Sequence, residues 1–192
     1  MLKVAITGGI GAGKTVVCRV FEKLGVPVFH ADVVAKELLN SNFDIKKNLI
    51  ELFGDDIYQK NETIHRKKLA EIIFNNHIAL QKVNRIIHPV VFDEFNQWAE
   101  MQQTPYVLQE AAIIFENGHA DRFDKIITVT APVEMKIERC MKRDEISREL
   151  VLERMKNQIP DEEKAKHSDF VIVNDDREMI LPQILKIHHS LI

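Results

Sequence analysis

The chain is short of most features that mark specialised protein classes. It has two cysteines, Cys18 and Cys140, far apart and without the spacing of a metal knuckle or redox pair. Both fall in predicted helices beside apolar neighbours, so two buried free thiols in a reducing compartment are expected, not a disulfide framework. No apolar run approaches the roughly 18 residues that a membrane span needs. Neither sign of charge dominates: 26 Lys and Arg stand against 29 Asp and Glu, a formal net charge of −3, which gives no electrostatic pointer to nucleic acid or membrane. The eight histidines are scattered without zinc-ligand spacing, so a histidine metal site is not expected. Internal repeats, low-complexity tracts and linker-like stretches are lacking. The opening residues 1–7 read as a strand running into glycine, without signal-peptide anatomy, and a soluble cytoplasmic protein is expected.

What remains is a globular composition, 45% hydrophobic and 29% charged over 192 residues, suited to one domain. Short β-branched runs at Leu2–Thr7, Val26–Phe29, Tyr106–Gln109, Lys125–Val129 and Phe170–Val173 read as buried parallel strands. Helical spacing follows the first of them: Val16, Val17, Val20, Phe21 and Leu24 share a face of a helix over 14–24, stopped by Gly25 and Pro27. Residues 31–103 carry helical patterns throughout, including Leu38, Leu39, Ile45 and Leu49, then Leu69, Ile72 and Ile73. A further helix is predicted over 89–101, opened by Pro89. Pro132 opens another through Lys142; residues 149–156 and 177–188 make two more. The expected fold is therefore α/β: an open parallel sheet of about five strands built from 1–30 and 104–192, a helical acceptor lobe inserted over 31–103, and a helical lid over about 139–158.

Four of the seven glycines fall in Gly8-Gly9-Ile10-Gly11-Ala12-Gly13-Lys14-Thr15, which fits G-x-x-x-x-G-K-[ST] between a strand and a helix. That spacing makes a phosphate-binding loop, because backbone N–H groups can turn inward around phosphate oxygens only where Cβ atoms do not obstruct them. Residues Gly9 to Val16 are thus expected to bind ATP. Lys14 would reach the β- and γ-phosphates and Thr15 would ligate Mg²⁺.

The rest of the chain narrows the nucleotide-using classes. There is no guanine-reading N-K-x-D, and Val107-Leu108-Gln109-Glu110 is a weak counterpart of the acidic strand end of motor ATPases. Asp32 follows the second strand, where a carboxylate could take the proton of an attacking hydroxyl; it could equally serve as the N-cap of a helix over 33–39. Arg139 and Arg143 lie one helical turn apart in a basic segment with Lys142, Arg148, Arg154 and Lys156. These arginines could neutralise a transferring phosphoryl group, or form a solvated face paired with Glu138, Asp144 and Glu145. The pattern points to a small-molecule kinase. A nucleotide-gated binding module is the reading from another class.

The ordered set of segments resembles the dephospho-coenzyme A kinase family. Ile6-Thr7-Gly8-Gly9-Ile10-Gly11-Ala12-Gly13-Lys14-Thr15 is similar to that family's opening. Val28-Phe29-His30-Ala31-Asp32, Ile86-Ile87-His88-Pro89, Ile113-Ile114-Phe115-Glu116, Lys142-Arg143-Asp144 and the stretch from Gln158 to Asn174 follow in the family's order. The resemblance implies ATP-dependent phosphorylation of the ribose 3′-hydroxyl of dephospho-CoA by a monomer or weak homo-oligomer, against phosphorylation of another small hydroxyl or nucleoside acceptor. It implies a base role for Asp32, lid-bordering roles for Arg139 and Arg143, ATP contact by Asn174, and acceptor contact by Arg66. His88 is either an acceptor contact or part of a helix start at Pro89. The chain departs from the family where His30 replaces the first acid of D-A-D and where Ile64-His65 precedes Arg66 without the usual acid.

Overall fold

The computed structural model describes residues 1–74 and 76–192; Asn75, which falls in the run predicted helical, and the side chains of Phe74 and His77 lie outside the described residues. The chain forms two compact units, residues 1–30 with 102–192 and residues 31–101.

The first unit is built on a five-stranded parallel sheet. Its strands are β1 (Leu2–Thr7), β2 (Val28–His30), β3 (Tyr106–Glu110), β4 (Lys125–Thr130) and β5 (Phe170–Val173), in the spatial order β2-β3-β1-β4-β5. The near-continuous apolar character of β1, β3 and β4 follows from burial on both faces. Helices α1 (Lys14–Lys23) and α9 (Ile180–Leu191) cover one face, where Val17, Phe21, Ile184 and Ile187 meet Val4, Ile6, Leu108, Ile127 and Val129. On the other side Ala5, Ile114 and Ile126 are buried under Phe115 and Phe123. Both cysteines are free and buried, Cys18 in α1 and Cys140 in α6 (Val133–Asp144).

Most element ends fall within a residue or two of the sequence reading, and the larger departures are the starts of β2 and α9 and one added helix. Strand β2 begins at Val28 because the Val26 amide is spent closing α1, donating to the Phe21 carbonyl at 3.0 Å. Helix α9 begins at Ile180, not 177, because the Asp175 carboxylate accepts from the amides of Arg177 and Glu178 at 3.0 and 3.1 Å and turns the chain first. The third is a short helix that the periodicity did not reveal, α8 (Asp161–Lys166); it follows α7 (Arg148–Lys156), which is capped by Ser147.

The second unit is helical: α2 (Ala31–Ser41), α3 (Phe43–Phe53), α4 (Arg66–Phe74) and α5 (His77–Glu100). Asn42 and Asn76 cap α3 and α5 through hydrogen bonds from the amides of Ile45 and Ala79, each 3.0 Å. Helix α2 starts at Ala31, so Asp32 stands within its first turn instead of capping it. The larger correction is Pro89, which lies inside α5 and opens no helix. Its ring removes one main-chain hydrogen bond. The helix persists because Ala79, Val83, Ile87, Val91, Phe95 and Ala99 recur every fourth residue as one buried stripe, and tertiary burial outweighs the local rule. Among the described residues no helix is long and apolar enough to cross a membrane.

Candidate active site: the phosphate loop and its surroundings

The loop from Gly8 to Thr15 leaves the carboxyl end of β1, the central strand, where open parallel sheets place their ligands. Helix α1 starts at Lys14, and its N-cap position is Gly13 in a left-handed conformation (φ 95°) with no side-chain cap. A Cβ at Gly13 would lie 2.1 Å from Asn174 Nδ2, so glycine there serves the backbone turn and the close approach of a neighbour together. Among the described residues the amides of Gly11 and Gly13 have no internal acceptor, as a cradle for phosphate oxygens requires. Lys14 Nζ donates to the carbonyls of Gly8 at 2.8 Å and Gly9 at 3.3 Å, which holds the ammonium across the mouth of the loop.

Asn174 follows β5, and its Nδ2 donates to the Ala12 carbonyl at 2.8 Å. Arg139 joins it, with one guanidinium nitrogen on the Asn174 carbonyl at 3.3 Å and another on Asp176 at 3.0 Å. Together with Gly13, Val16, Glu178 and Ile180 these residues line a cavity of about 380 Å³ beside the loop. Its walls combine Val16 and Ile180 with the charged and amide side chains of Arg139, Asn174, Asp176 and Glu178.

On the opposite side of the loop, Glu110 ends β3. The parallel register sets it beside Ile6 of β1 and His30 of β2. Its carboxylate lies 3.5 Å from the Thr15 hydroxyl and 2.6 Å from His30 Nδ1, while His30 Nε2 is 3.4 Å from Glu22. A hydroxyl and a carboxylate beside a phosphate cradle are the hard oxygen donors that suit Mg²⁺. The sequence reading met Glu110 only as the end of a weak counterpart of a motor ATPase's acidic strand and gave it no role in the site. The adjacency of β3 to β1 gives it its place.

Two largely buried ion pairs lie in the same unit. Lys136 Nζ meets Asp161 at 2.6 Å, with both side chains at most 5% exposed. Lys164, fully buried, meets Glu116 Oε1 at 2.7 Å and donates to the Ala112 carbonyl at 2.9 Å. The same Glu116 oxygen accepts from the Ile159 amide at 3.0 Å.

The α6–α7 hairpin carries the remaining arginines, all paired with surface acids. Arg143 forks onto Asp144 at 2.7 and 2.9 Å, Arg154 reaches the same carboxylate at 3.0 Å, and Arg148 forks onto Glu134 at 2.7 Å. Hydrogen bonding from Arg143 holds the Asp144 carboxyl below the usual carboxylate range. Arg139 and Arg143 thus share a helix and differ in role: the first lines the cavity by the loop, the second is held in a surface pair.

Asp32, Arg66 and His88 belong to the second unit. Asp32 is exposed in the first turn of α2, and His88 is half-buried in α5. Arg66 opens α4 and, with Asn40, Gln59, Thr63, Ile64, His65 and Lys67, lines a cavity of about 410 Å³ within that unit. Asn40 helps build this cavity by accepting from the Ile64 amide at 2.8 Å.

The sequence profile of the family described as Dephospho-CoA kinase matches residues 2–179. A Dephospho-CoA kinase of Bacteroides fragilis is 37% identical over 187 residues, 97% of this chain and 91% of that protein. A crystal structure from Thermus thermophilus superposes with a TM-score of 0.87 at 30% identity, covering 98% of this chain and 96% of that one. The structure of a Dephospho-CoA kinase from Campylobacter jejuni superposes with a TM-score of 0.68 at 26% identity, with the same coverage of 98% and 96%. A profile that spans nearly the whole chain, and a relative matched end to end, place this protein in the dephospho-CoA kinase family.

Proposed function

We propose that the chain transfers the γ-phosphoryl group of ATP to the ribose 3′-hydroxyl of dephospho-CoA, giving CoA and ADP, the last step of coenzyme A synthesis. The observation that carries this reading is the phosphate loop, with its inward amides and Lys14, in a chain of this family. The ATP phosphates lie in the loop from Gly9 to Val16, and Lys14 exchanges the carbonyls of Gly8 and Gly9 for the β- and γ-phosphates. The adenosine occupies the cavity between Arg139, Asn174 and Ile180. Thr15 and Glu110 would hold Mg²⁺, which when bound would supply charge neutralisation at the phosphate oxygens.

Asp32 orients the 3′-hydroxyl and takes its proton as the bond to phosphorus forms. Arg66 and His88 contact the acceptor. Arg143 leaves Asp144 for the transferring group once the nucleotide is bound. The test is an acceptor panel with ATP·Mg²⁺, each product identified by mass and the phosphate located by NMR. Dephospho-CoA should gain one phosphate on its 3′-oxygen, while shikimate, gluconate and nucleosides remain unchanged. Transfer to one of those acceptors and not to dephospho-CoA would overturn the assignment.

A further inference from the structure

The leading limb of the phosphate loop is fastened to the link between α7 and α8 and, through its side chains, to α6 and α7. The Gly9 amide donates to Asp161 Oδ1 at 2.8 Å and the Ile10 amide to Gln158 Oε1 at 2.9 Å. These two amides point into protein, so what they bring to ATP is the shape of the loop and no phosphate hydrogen bond. The Ile10 side chain packs into the apolar cluster of Ile137, Cys140, Val151 and Met155, which joins α6 to α7. At Gly11 the backbone of α6 comes so close that a Cβ would lie 2.4 Å from the Lys136 carbonyl oxygen. The second oxygen of Asp161 is held by buried Lys136, so the acceptor for Gly9 is itself fixed to α6. Pro160 stands between Gln158 and Asp161 and stiffens the link from α7 to α8.

We infer that Gln158 and Asp161 are positioning residues, a strut that makes the shape of the loop and the pose of the arginine-bearing hairpin a single equilibrium. Gly9 to Gly11 are held by this strut; Ala12 joins them through its amide on the Gly9 carbonyl at 3.2 Å and is also held, with Gly13, by Asn174 and α1. A nucleotide that fixes the loop therefore fixes the hairpin, and by linkage the hairpin feeds back on nucleotide affinity to the same extent. This rests on the reading of the loop as the ATP cradle and is independent of the acceptor.

The experiment uses mant-ADP with Mg²⁺ as the probe and follows amide hydrogen exchange over residues 145–158. In the wild-type chain, mant-ADP should bind and slow exchange in that hairpin. Gln158→Leu removes the acceptor without leaving a charge behind; it should weaken mant-ADP binding about tenfold, the scale of one lost hydrogen bond, and abolish the protection. It should raise KM for ATP by the same factor with kcat less affected. Gln158→Glu keeps an acceptor oxygen and should restore both readouts. Should Gln158→Leu lose its fold, Gln158→Met carries the test, because it also lacks the amide oxygen that faces Ile10 and keeps the length of the side chain; it should bind mant-ADP with reduced protection of 145–158. Wild-type binding and full protection in the folded variant would overturn the strut. Equal impairment in Gln158→Leu and Gln158→Glu would do the same. If the wild-type chain failed to bind mant-ADP at all, the nucleotide reading itself would fall.

Discussion

The two largely buried ion pairs of the first unit and the exposed ones along the α6–α7 hairpin are built on opposite terms. Lys136 with Asp161 and Lys164 with Glu116 are buried, and their oxygens also accept main-chain amides. Arg143, Arg148 and Arg154 pair with Asp144 and Glu134 in water, and Arg143 is 60% exposed. Removing one partner of a buried pair strands the other without solvent, whereas an exposed pair can part at little cost. A kinase needs both kinds: a floor that holds the loop's shape before ATP arrives, and arginines free to change partners after it has bound.

The largest effect should come from breaking the floor. Lys136→Met leaves Asp161 charged and buried, and urea unfolding should report a loss of about 3–5 kcal/mol. The corresponding change in the hairpin, Arg148→Ala, should leave the unfolding midpoint almost unchanged in the same measurement. If the two losses were alike, the contrast between floor and rim would fail.

Lys14→Ala comes next and acts on chemistry, not folding. Its kcat/KM should fall by about 3–4 kcal/mol of transition-state stabilisation, the scale of a lost electrostatic contact, with the unfolding midpoint nearly unchanged. Asp32→Asn should retain nucleotide binding and lose about 10²-fold or more in kcat, as removal of a general base does. A normal rate would reduce Asp32 to a residue of the first helical turn.

The smallest effect is a dependence on pH. Arg143 lowers the Asp144 pKa in the folded chain, so the pair's contribution is present above the ordinary carboxylate range and is lost as pH falls through the lowered value. Asp144→Asn should therefore lose that contribution in the neutral region and match the wild-type chain below the lowered value, which flattens the acid limb of the stability profile. An unchanged acid limb would show that the fork from Arg143 contributes nothing.

Much of the fold was legible in the sequence because its signals are local. The loop glycines, the apolar strands and the helix after Lys14 are each written within a few adjacent residues, and the family segments fix their order. Pro89 misled because a local rule was overridden by the buried stripe from Ala79 to Ala99, whose strength lies in packing along a whole helix. The supports of the site were hidden for the opposite reason. Gly9 and Asp161 are 152 residues apart and touch only once the sheet is assembled. Glu110 gains its meaning from the place of β3 beside β1, and the order of strands is not written in any one of them.

The central claim, that the loop and Lys14 form a ready cradle for a triphosphate, is tested most directly by calorimetric titration of ATP·Mg²⁺ into the wild-type and Lys14→Ala chains. The account predicts saturable one-site binding by the wild-type chain, with an affinity in the range of about 1 μM to 1 mM usual for enzyme substrates, and clearly weaker binding by the variant. No binding by the wild-type chain up to millimolar nucleotide, or equal binding by the two, would contradict it.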